Sequence, residues 1–302
     1  MKPVIDVTGE LLKSVSRSFY LTIRFLPSDM RPAIALGYML ARATDSVADS
    51  IRSHESLRAE MLERMNKAIA GEESAEKMQE LATILAEKVA PEVSSAAEQQ
   101  LLREFGTCLQ TLETFDGTQR ALIRKVLSTI IEGQLWDLTA FSAGDTVRND
   151  DETRRYTYMV AGCVGEFWTE LGYAAMGERF CEADRRDIML KAGVRYGQGL
   201  QLINILRDME EDAARGRHYL CSDAAKWLHR AESYMNDGMD YSRRLGSFKL
   251  RFASILPALI GKKTIQLLQR STLGKGKVKI KRFSVYLSLL KAVFICMVRR
   301  AA

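Results

Sequence analysis

The sequence contains few of the residues that interrupt helices, with 5 prolines and 20 glycines among 302 residues. It also lacks any convincing alternation of apolar and polar residues, apart from residues 277–281, which argues against a β-sheet protein. Nearly every segment instead repeats its apolar residues at helical spacing. We therefore expect one domain over residues 1–302, an all-α bundle of about ten helices. The predicted helices cover residues 30–51, 57–69, 78–89, 97–115, 118–141, 149–176, 183–212, 224–245, 250–268 and 283–299.

Cysteine and histidine are too few and too scattered to build a framework. The 5 cysteines form no C-x-x-C pair, and the 3 histidines lie far apart in the chain. This pattern excludes a zinc cluster and a disulfide scaffold, and it fits reduced thiols in a cytoplasmic protein. Residues 1–10 lack a basic region followed by an apolar stretch, so we expect no secretory signal.

Acidic residues are absent from the last part of the chain. No Asp or Glu follows Asp240, whereas 15 Lys and Arg do, which leaves 29 basic against 38 acidic residues in the first 240. This asymmetry predicts an anionic partner for the C-terminal part: a phosphate-bearing ligand, a membrane surface or nucleic acid. A solvated basic tail is the alternative.

Long hydrophobic runs are missing as well. Residues 283–298 are markedly apolar, but Lys291 interrupts them. They also fall short of the roughly 20 apolar residues that a bilayer span needs. We expect a packed terminal helix or an interfacial helix there. Together with the basic C-terminal segment at residues 270–302, this predicts peripheral association with the inner face of the membrane.

Two pairs of aspartates stand out within the predicted helices. Asp45 and Asp49 follow the apolar residues 34–40, and residues four apart share one face of a helix. Two carboxylates in this arrangement repel each other unless a cation or a basic group lies between them. Such a pair taken alone is common on protein surfaces, and a solvated pair is the ordinary alternative.

The second pair favours a metal site. Gln201, Asn204, Asp208 and Asp212 step by three or four residues, so they line one face of a helix that is otherwise rich in apolar residues. Burying polar acceptors without partners is costly. Magnesium uses few carboxylates and takes its other ligands from water or phosphates. The two pairs therefore predict Mg²⁺, with Mn²⁺ as the alternative, holding a diphosphate and stabilising it as it leaves.

Basic residues accompany the aspartates. A guanidinium group suits bidentate contact with phosphate oxygens, so arginines beside acidic pairs predict a phosphate-bearing substrate. The alternative is that each arginine only pairs with a neighbouring acid. The arginines concerned are Arg17, Arg42, Arg207, Arg215 and Arg217.

Four blocks of the sequence resemble the squalene/phytoene synthase family, the head-to-head isoprenoid synthases. They are SRSFYL at residues 16–21, ARATDSVAD at 41–49, YTYMVAGCVGEFW at 156–168 and GLQLINILRDMEEDAARGRHYL at 199–220. The blocks occur in family order and span about two thirds of the chain. The resemblance implies an isoprenoid synthase fold around a central apolar cavity, and a prenyltransferase that uses farnesyl diphosphate.

The resemblance also implies roles for individual residues. Tyr156 would be placed to assist the first condensation, and Gly162 and Gly165 would leave room for isoprenoid chains, unless they only allow helices to pack closely. Magnesium–diphosphate binding would fall to Asp45, Asp49, Asn204, Asp208 and Asp212. Contacts with the diphosphates would come from Ser16, Arg17, Tyr38, Arg42, Gln201, Arg207, Arg217 and Tyr241.

Family members differ in their products. The first and third blocks look most like bacterial squalene synthases, and the basic residues 277–282 resemble a segment near the cofactor site of eukaryotic ones. This implies that two farnesyl diphosphates form presqualene diphosphate, which NADPH then reduces to squalene. Lys279 and Lys281 would bind NADPH, outside any Rossmann site, because no G-x-G-x-x-G follows a strand. Phe252 stands alone where some squalene synthases carry a Phe-x-Phe pair. This favours the alternatives, a phytoene, dehydrosqualene or presqualene diphosphate synthase.

Two other classes of function fit the sequence less well. A non-catalytic assembly factor for membrane complexes would share the fold, but such relatives have lost the aspartates that this chain keeps. A nucleic-acid binder would need interleaved aromatic residues or a helix-turn-helix signature, which the basic C-terminus lacks. We expect a monomer that binds farnesyl diphosphate and a membrane surface, and no nucleic acid.

Overall fold

The computed structural model describes residues 9–16, 19–50, 55–141, 147, 149–270 and 282–297. These residues form helices joined by turns, with no β-strand among them, so the all-α prediction is confirmed. The α-helices are α1 (Glu10–Ser16), α2 (Phe19–Phe25), α3 (Arg31–Ala48), α4 (Glu55–Ala70), α5 (Ala75–Ile84), α6 (Ala96–Arg103), α7 (Phe105–Glu113), α8 (Gly117–Ala140), α9 (Asp150–Thr157), α10 (Cys163–Met176), α11 (Arg186–Ala214), α12 (Ala224–Arg244), α13 (Phe248–Arg270) and α14 (Arg282–Met297).

Contacts divide the chain into two compact units. The first comprises Met1–Arg24 and Ser28–Leu138, and the second comprises Phe25–Pro27 and Thr139–Ala302. The sequence patterning predicts a single domain, and that expectation stays a prediction.

Helix α3 forms much of the core of the first unit, and it carries the first aspartate pair. Pro32 lies in its first turn, where the missing N–H costs nothing. Leu36, Met39 and Leu40 are fully buried, and the helix contacts α1, α4, α6 and α7. Burying each such side chain stabilises the fold by about 1.5–3 kcal/mol. The apolar residues therefore anchor this helix in the unit.

Helix α11 is the centre of the second unit, and it carries the second aspartate pair. It contacts α9, α10, α12 and α13. Glycines let it approach α10 closely: a Cβ added to Gly165 would lie 1.9 Å from the carbonyl oxygen of Gly193. A Cβ on Gly162 would lie 3.0 Å from the Gln198 side chain. Both glycines therefore serve close helix packing, the second of the two functions considered for them.

Two of the predicted helices are broken within their length in the structure, and a third, over residues 78–89, ends in a π-helical turn at Leu85–Val89. The helix predicted over residues 97–115 breaks at Glu104, whose φ of −91° and ψ of 6° separate α6 from α7. The helix predicted over residues 149–176 contains a π-helical turn at Tyr158–Gly162 between α9 and α10. Neither break has a proline or glycine at the point where the α-helix stops, so periodicity alone could not show them.

The last described helix, α14, belongs to the second unit and packs against α13. Ala292 and Cys296 of α14 are buried, and Arg251 of α13 donates a hydrogen bond to the Cys296 carbonyl at 3.4 Å. No described helix is both long enough and apolar enough to cross a membrane. Of the two expectations for this segment, a packed terminal helix is what the structure shows. Much of the basic segment, residues 271–281, lies outside the described residues.

Candidate functional site

The first aspartate pair lies at the C-terminal end of α3. Asp49 caps the helix, and its backbone N–H donates to the Asp45 carbonyl at 2.8 Å. The two side chains are one turn apart and share a face, as the spacing predicts. The Asp49 side chain is exposed, and it makes no hydrogen bond or ion pair within the described part of the chain. An accessible carboxylate therefore stands next to Asp45.

Asp45 is crowded but still accessible. Gln134 of α8 donates its amide Nε2–H to the Asp45 carboxylate. Dense packing around the carboxyl group, and then the charge of Asp49, raise the pKa of Asp45 to about 6. The side chain nevertheless keeps 44% of its surface open to solvent, so a ligand can reach it. A cation at this position would relieve the repulsion between the two carboxylates.

Arg42 is held by an acid on another helix. Its Nη2 donates to Oε1 of Glu98 at 2.6 Å, whereas its Nη1 lies 4.0 Å from Asp45. Ser46 donates to the other oxygen of Glu98 at 3.1 Å. Burial alone would lower the pKa of Arg42, but the hydrogen bond and the charge of Glu98 outweigh it and raise that pKa. Arg42 is thus a permanent cation beside the aspartate pair.

Two other predicted residues of the first unit are described: Tyr38 lies on α3 itself, and Ser16 ends α1, which contacts α3. The Tyr38 hydroxyl donates to the Val15 carbonyl at 3.3 Å, and its ring lies 5.2 Å from that of Phe19. Ser16 is buried and donates to the Leu12 carbonyl of its own helix at 2.6 Å. Arg17 lies outside the described residues. The roles of these three residues in diphosphate binding stay predictions.

The second aspartate pair projects from α11. Apolar residues at the intervening positions, among them Leu202 and Leu206, are buried. Asn204 is exposed and lies 3.4 Å from the Gln201 side-chain oxygen, to which it donates. Asp208 and Asp212 are half-buried. The structure therefore places Gln201, Asn204 and both aspartates on α11, as the sequence predicts. All four side chains are at least partly exposed to solvent.

Arg207 and Asp208 bond to each other. The guanidinium donates twice to the neighbouring carboxylate, from Nε at 2.9 Å and from Nη2. The hydrogen bond to Asp208 is the main reason that the pKa of Arg207 is raised. Arg207 and Asp208, two of the predicted ligand-binding residues of this motif, therefore bond to each other.

A tight turn follows the second pair and directs the chain towards α9. Gly216 adopts a positive φ of 76°, which favours glycine, and Arg217 N donates to the Asp212 carbonyl at 2.9 Å. Beyond the turn, Thr153 of α9 donates to the Tyr219 carbonyl at 2.8 Å. The segment that carries Arg217 is thereby fixed against the helix that carries Tyr156.

Tyr156 is close to this turn. Its ring stacks on that of Tyr219, with centroids 4.9 Å apart and planes 14° apart, and only 7% of the residue is exposed. The neighbouring Tyr158 is held differently, because its hydroxyl donates to Glu166 at 2.7 Å. Within the second unit, Tyr156 thus packs against the segment that follows the second aspartate motif, and its role in catalysis stays a prediction.

Tyr241 lies in the core of the second unit. It is 2% exposed, and its hydroxyl is 2.8 Å from that of Thr169 on α10. Burial raises the pKa of Tyr241, so its hydroxyl stays protonated. Its contact with a diphosphate stays a prediction. The predicted cofactor residues Lys279 and Lys281 lie outside the described residues.

Two residues around the first pair were missed in the sequence, namely Glu98 and Gln134. They touch Arg42, Ser46 and Asp45 across 52 to 89 residues of chain, which no spacing rule connects. No local signal pointed to them, because Asp45, three residues further along the same helix, already offers Arg42 an acidic partner in the sequence.

The side chains around Asp45 are suited to bind a hydrated magnesium ion. Among the described residues, no three His, Cys, Asp or Glu side chains gather at one point, so a cation would take several ligands from water or phosphate. Magnesium is usually bound in this way, through one or two carboxylates. The Oε1 atom of Gln134 is buried and has no hydrogen-bond partner among the described residues, as expected beside a site that a ligand completes.

Comparison with known proteins gives one family. The family model described as squalene/phytoene synthase matches residues 12–227. A presqualene diphosphate synthase of Rhodopseudomonas palustris is 30% identical over 212 residues, which cover 70% of this chain and 60% of that protein. A bifunctional lycopene cyclase/phytoene synthase of Pyrenophora tritici-repentis is 28% identical over 228 residues, which cover 75% and 35%. The chain thus spans from 35% to 60% of the length of these two relatives.

A solved structure shares the fold. TcSQS in complex with the ligand BPH1237 superposes with a TM-score of 0.74 at 20% identity, covering 97% of this chain and 87% of that chain. At this identity the likeness shows that the two chains have the same fold.

Proposed function

Because this chain belongs to the squalene/phytoene synthase family, we propose that it joins two prenyl diphosphates head to head. The observation that carries the proposal is the pair of Asp-x-x-x-Asp motifs, each on one face of a long helix and each with an arginine beside it. Non-catalytic relatives of this fold have lost these aspartates, whereas this chain keeps all four. Farnesyl diphosphate is the proposed substrate, and presqualene diphosphate is the first product.

The aspartates bind magnesium together with the diphosphate. Asp45 and Asp49 act in the first unit, and Asp208 and Asp212, assisted by Asn204, act in the second. When bound, magnesium neutralises the charge that develops on the leaving diphosphate. Manganese has the same preference for oxygen ligands and is the proposed substitute.

The arginines bind diphosphate oxygens. Arg42 is already held in place by Glu98, whereas Arg207 exchanges Asp208 for a phosphate oxygen when the substrate arrives. Arg217 follows the turn at Gly216, which brings it close to α9. Bidentate contacts of this kind fix the leaving group and so favour one orientation of the reacting carbon.

Tyr156 assists the condensation. Its phenol donates a hydrogen bond to the leaving diphosphate and moves a proton at the reacting end of the substrate. The stacking on Tyr219 fixes the ring, and the short distance along the chain from Tyr219 to Arg217 supports this assignment.

We further propose that the product is squalene, formed from presqualene diphosphate by reduction with NADPH. The likeness of the first and third sequence blocks to bacterial squalene synthases supports this step, as do Lys279 and Lys281. The named relatives include a phytoene synthase and a presqualene diphosphate synthase, so the products of non-reductive relatives are the alternatives.

The enzyme works as a monomer in the cytoplasm, bound peripherally to the membrane. The product is an oil, and each basic residue near an anionic leaflet contributes roughly 1 kcal/mol of binding. The 15 basic residues after Asp240, with no acid among them, support this localisation.

One incubation tests the proposed reaction. The protein is mixed with farnesyl diphosphate and Mg²⁺, with and without NADPH, and the products are identified by mass spectrometry. Squalene is expected with NADPH, and presqualene diphosphate without it. Phytoene-type or dehydrosqualene products that ignore NADPH would contradict the reductive step. No condensation under any condition, including geranylgeranyl diphosphate as substrate, would contradict the proposed reaction.

A further inference from the structure

Glu98 occupies a position that its sequence context does not explain. Ser95 caps α6, and its Oγ accepts from the Glu98 backbone N–H at 3.5 Å. A Ser-x-x-Glu sequence at a helix start usually forms a capping box, in which the glutamate returns to the backbone N–H of the cap residue. Here both carboxylate oxygens are used by α3 instead, one by Arg42 and the other by Ser46.

This contact decides which acid Arg42 meets. Arg42 and Asp45 are neighbours on one helix face, three residues apart, where an arginine readily pairs with an aspartate. Glu98 holds Nη2 at 2.6 Å, and Nη1 stays 4.0 Å from Asp45, beyond hydrogen-bond distance. Glu98 has 15% of its side-chain surface exposed, so its contact with Arg42 is screened less than a surface ion pair.

In the second motif, no acid on another helix bonds to the arginine within the described part of the chain. Among the described residues, Arg207 has Asp208 as its only hydrogen-bonding partner, and the two bond twice. An arginine bonded to a metal-binding carboxylate competes with the metal for the same oxygens. In the first motif that competition is weaker, because Arg42 stays within ion-pair range of Asp45 at 4.0 Å but makes no hydrogen bond to it, and 44% of the Asp45 side chain stays accessible.

We propose that Glu98 is a positioning residue that keeps Arg42 off Asp45, so that Asp45 is available to a divalent cation before the substrate binds. The proposal rests on the proposed function, because it requires Asp45 to bind the cation. Glu98 itself acts only through Arg42 and touches neither metal nor substrate.

Two variants of equal charge test this proposal. Glu98→Gln keeps an oxygen that can accept from Arg42, whereas Glu98→Ala keeps none. Both remove the same negative charge, so any difference between them does not come from the long-range field. Each is made on the wild-type and on the Arg42→Ala background, and Mn²⁺ affinity is measured by electron paramagnetic resonance without substrate. Asp208→Asn is included throughout, so that the first pair is observed alone.

Glu98→Ala is expected to bind Mn²⁺ about fivefold more weakly than Glu98→Gln, since the lost hydrogen bond to a charged group lets Arg42 turn to Asp45. On the Arg42→Ala background the two variants should bind equally. In a separate assay with the Asp208 side chain intact, the Mg²⁺ concentration for half-maximal rate should rise in Glu98→Ala, while kcat at saturating Mg²⁺ is kept. Glu104→Ala, at the end of the same helix, is the control and should change neither quantity.

The outcomes separate the possible failures. Equal affinities of the two Glu98 variants on the wild-type background would overturn the positioning role. A difference that persists on the Arg42→Ala background would show that Glu98 supports α3 in another way, and would also overturn it. If the protein with intact Asp45 binds no Mn²⁺ at all, the proposed metal site and the proposal fail together. Thermal unfolding confirms that each variant is folded; if Glu98→Ala is not, Glu98→Leu, which keeps the bulk of the side chain but accepts no hydrogen bond from Arg42, replaces it in the same comparison.

Discussion

The two aspartate motifs contain the same residue types but are supported in different ways. In the first, Arg42 is held by Glu98 and Asp45 by Gln134, so polar side chains on neighbouring helices fix the motif. In the second, Arg207 and Asp208 hold each other, and the helix itself is fixed by contacts of glycine backbone. The comparison teaches that matching motifs do not have matching contacts. In the first motif Arg42 lies 4.0 Å from Asp45 without a hydrogen bond, whereas in the second Arg207 bonds directly to Asp208.

The largest effect is expected from removing either carboxylate. Asp45→Asn and Asp208→Asn should each lower kcat by about 10³-fold, because magnesium contributes several kcal/mol of charge stabilisation. Steady-state assays with farnesyl diphosphate measure the loss, and circular dichroism checks the fold. Asp187→Asn, which is exposed on the same helix as Asp208, is the matched control. Near wild-type turnover of either variant, or of the wild type in EDTA, would show that the two motifs do not both serve the reaction.

Tyr156→Phe tests the tyrosine that stacks on Tyr219, in the segment after the second motif. The variant should lose roughly 10²-fold in condensation rate, because phenylalanine keeps the stacking on Tyr219 but cannot donate a proton. The affinity for farnesyl diphosphate, measured by calorimetry, should be unchanged. Tyr158→Phe is the control, since Tyr158 donates to Glu166. If both variants turn over at the wild-type rate, Tyr156 is a packing residue.

Gly165→Ala tests the backbone support of the second motif. The new methyl group would lie 1.9 Å from the Gly193 carbonyl oxygen, so α10 and α11 must separate. Overpacking of this kind costs about 1–3 kcal/mol of the free energy of unfolding, which urea denaturation measures. Gly117→Ala is the control, because nothing lies within 4 Å of its Cβ position. A stable Gly165→Ala enzyme that accepts only shorter substrates would restore the assignment of Gly165 to chain accommodation.

The smallest effect is expected from freeing Asp208. On an Asp45→Asn background, Arg207→Ala should tighten Mn²⁺ binding about threefold, because a partly exposed ion pair contributes only about 0.2–1 kcal/mol. Arg217→Ala on the same background gives the effect of removing a nearby positive charge without breaking the pair. If both variants tighten Mn²⁺ binding equally, the cause is the loss of a positive charge near the site. The ion pair between Arg207 and Asp208 would then not compete with the metal.

The sequence predicts the parts of this protein that depend on local spacing. Residues three and four apart predict which polar side chains share a face of α3 and of α11, and in the structure these residues do lie on those helices. The break at Glu104 and the π-helical turn at Tyr158–Gly162 do not follow, because apolar periodicity continues through both. Glu98 and Gln134 could not be found either, since their partners lie on helices that only the tertiary fold brings near.

The central claim is that both aspartate pairs bind metal together with diphosphate. The most direct measurement is the number of Mn²⁺ ions retained in the presence of an unreactive thio analogue of farnesyl diphosphate, counted by electron paramagnetic resonance. Asp45→Asn and Asp208→Asn should each retain fewer ions than the wild type, and the double variant should retain fewer than either. Equal retention by wild type and both single variants would contradict the claim.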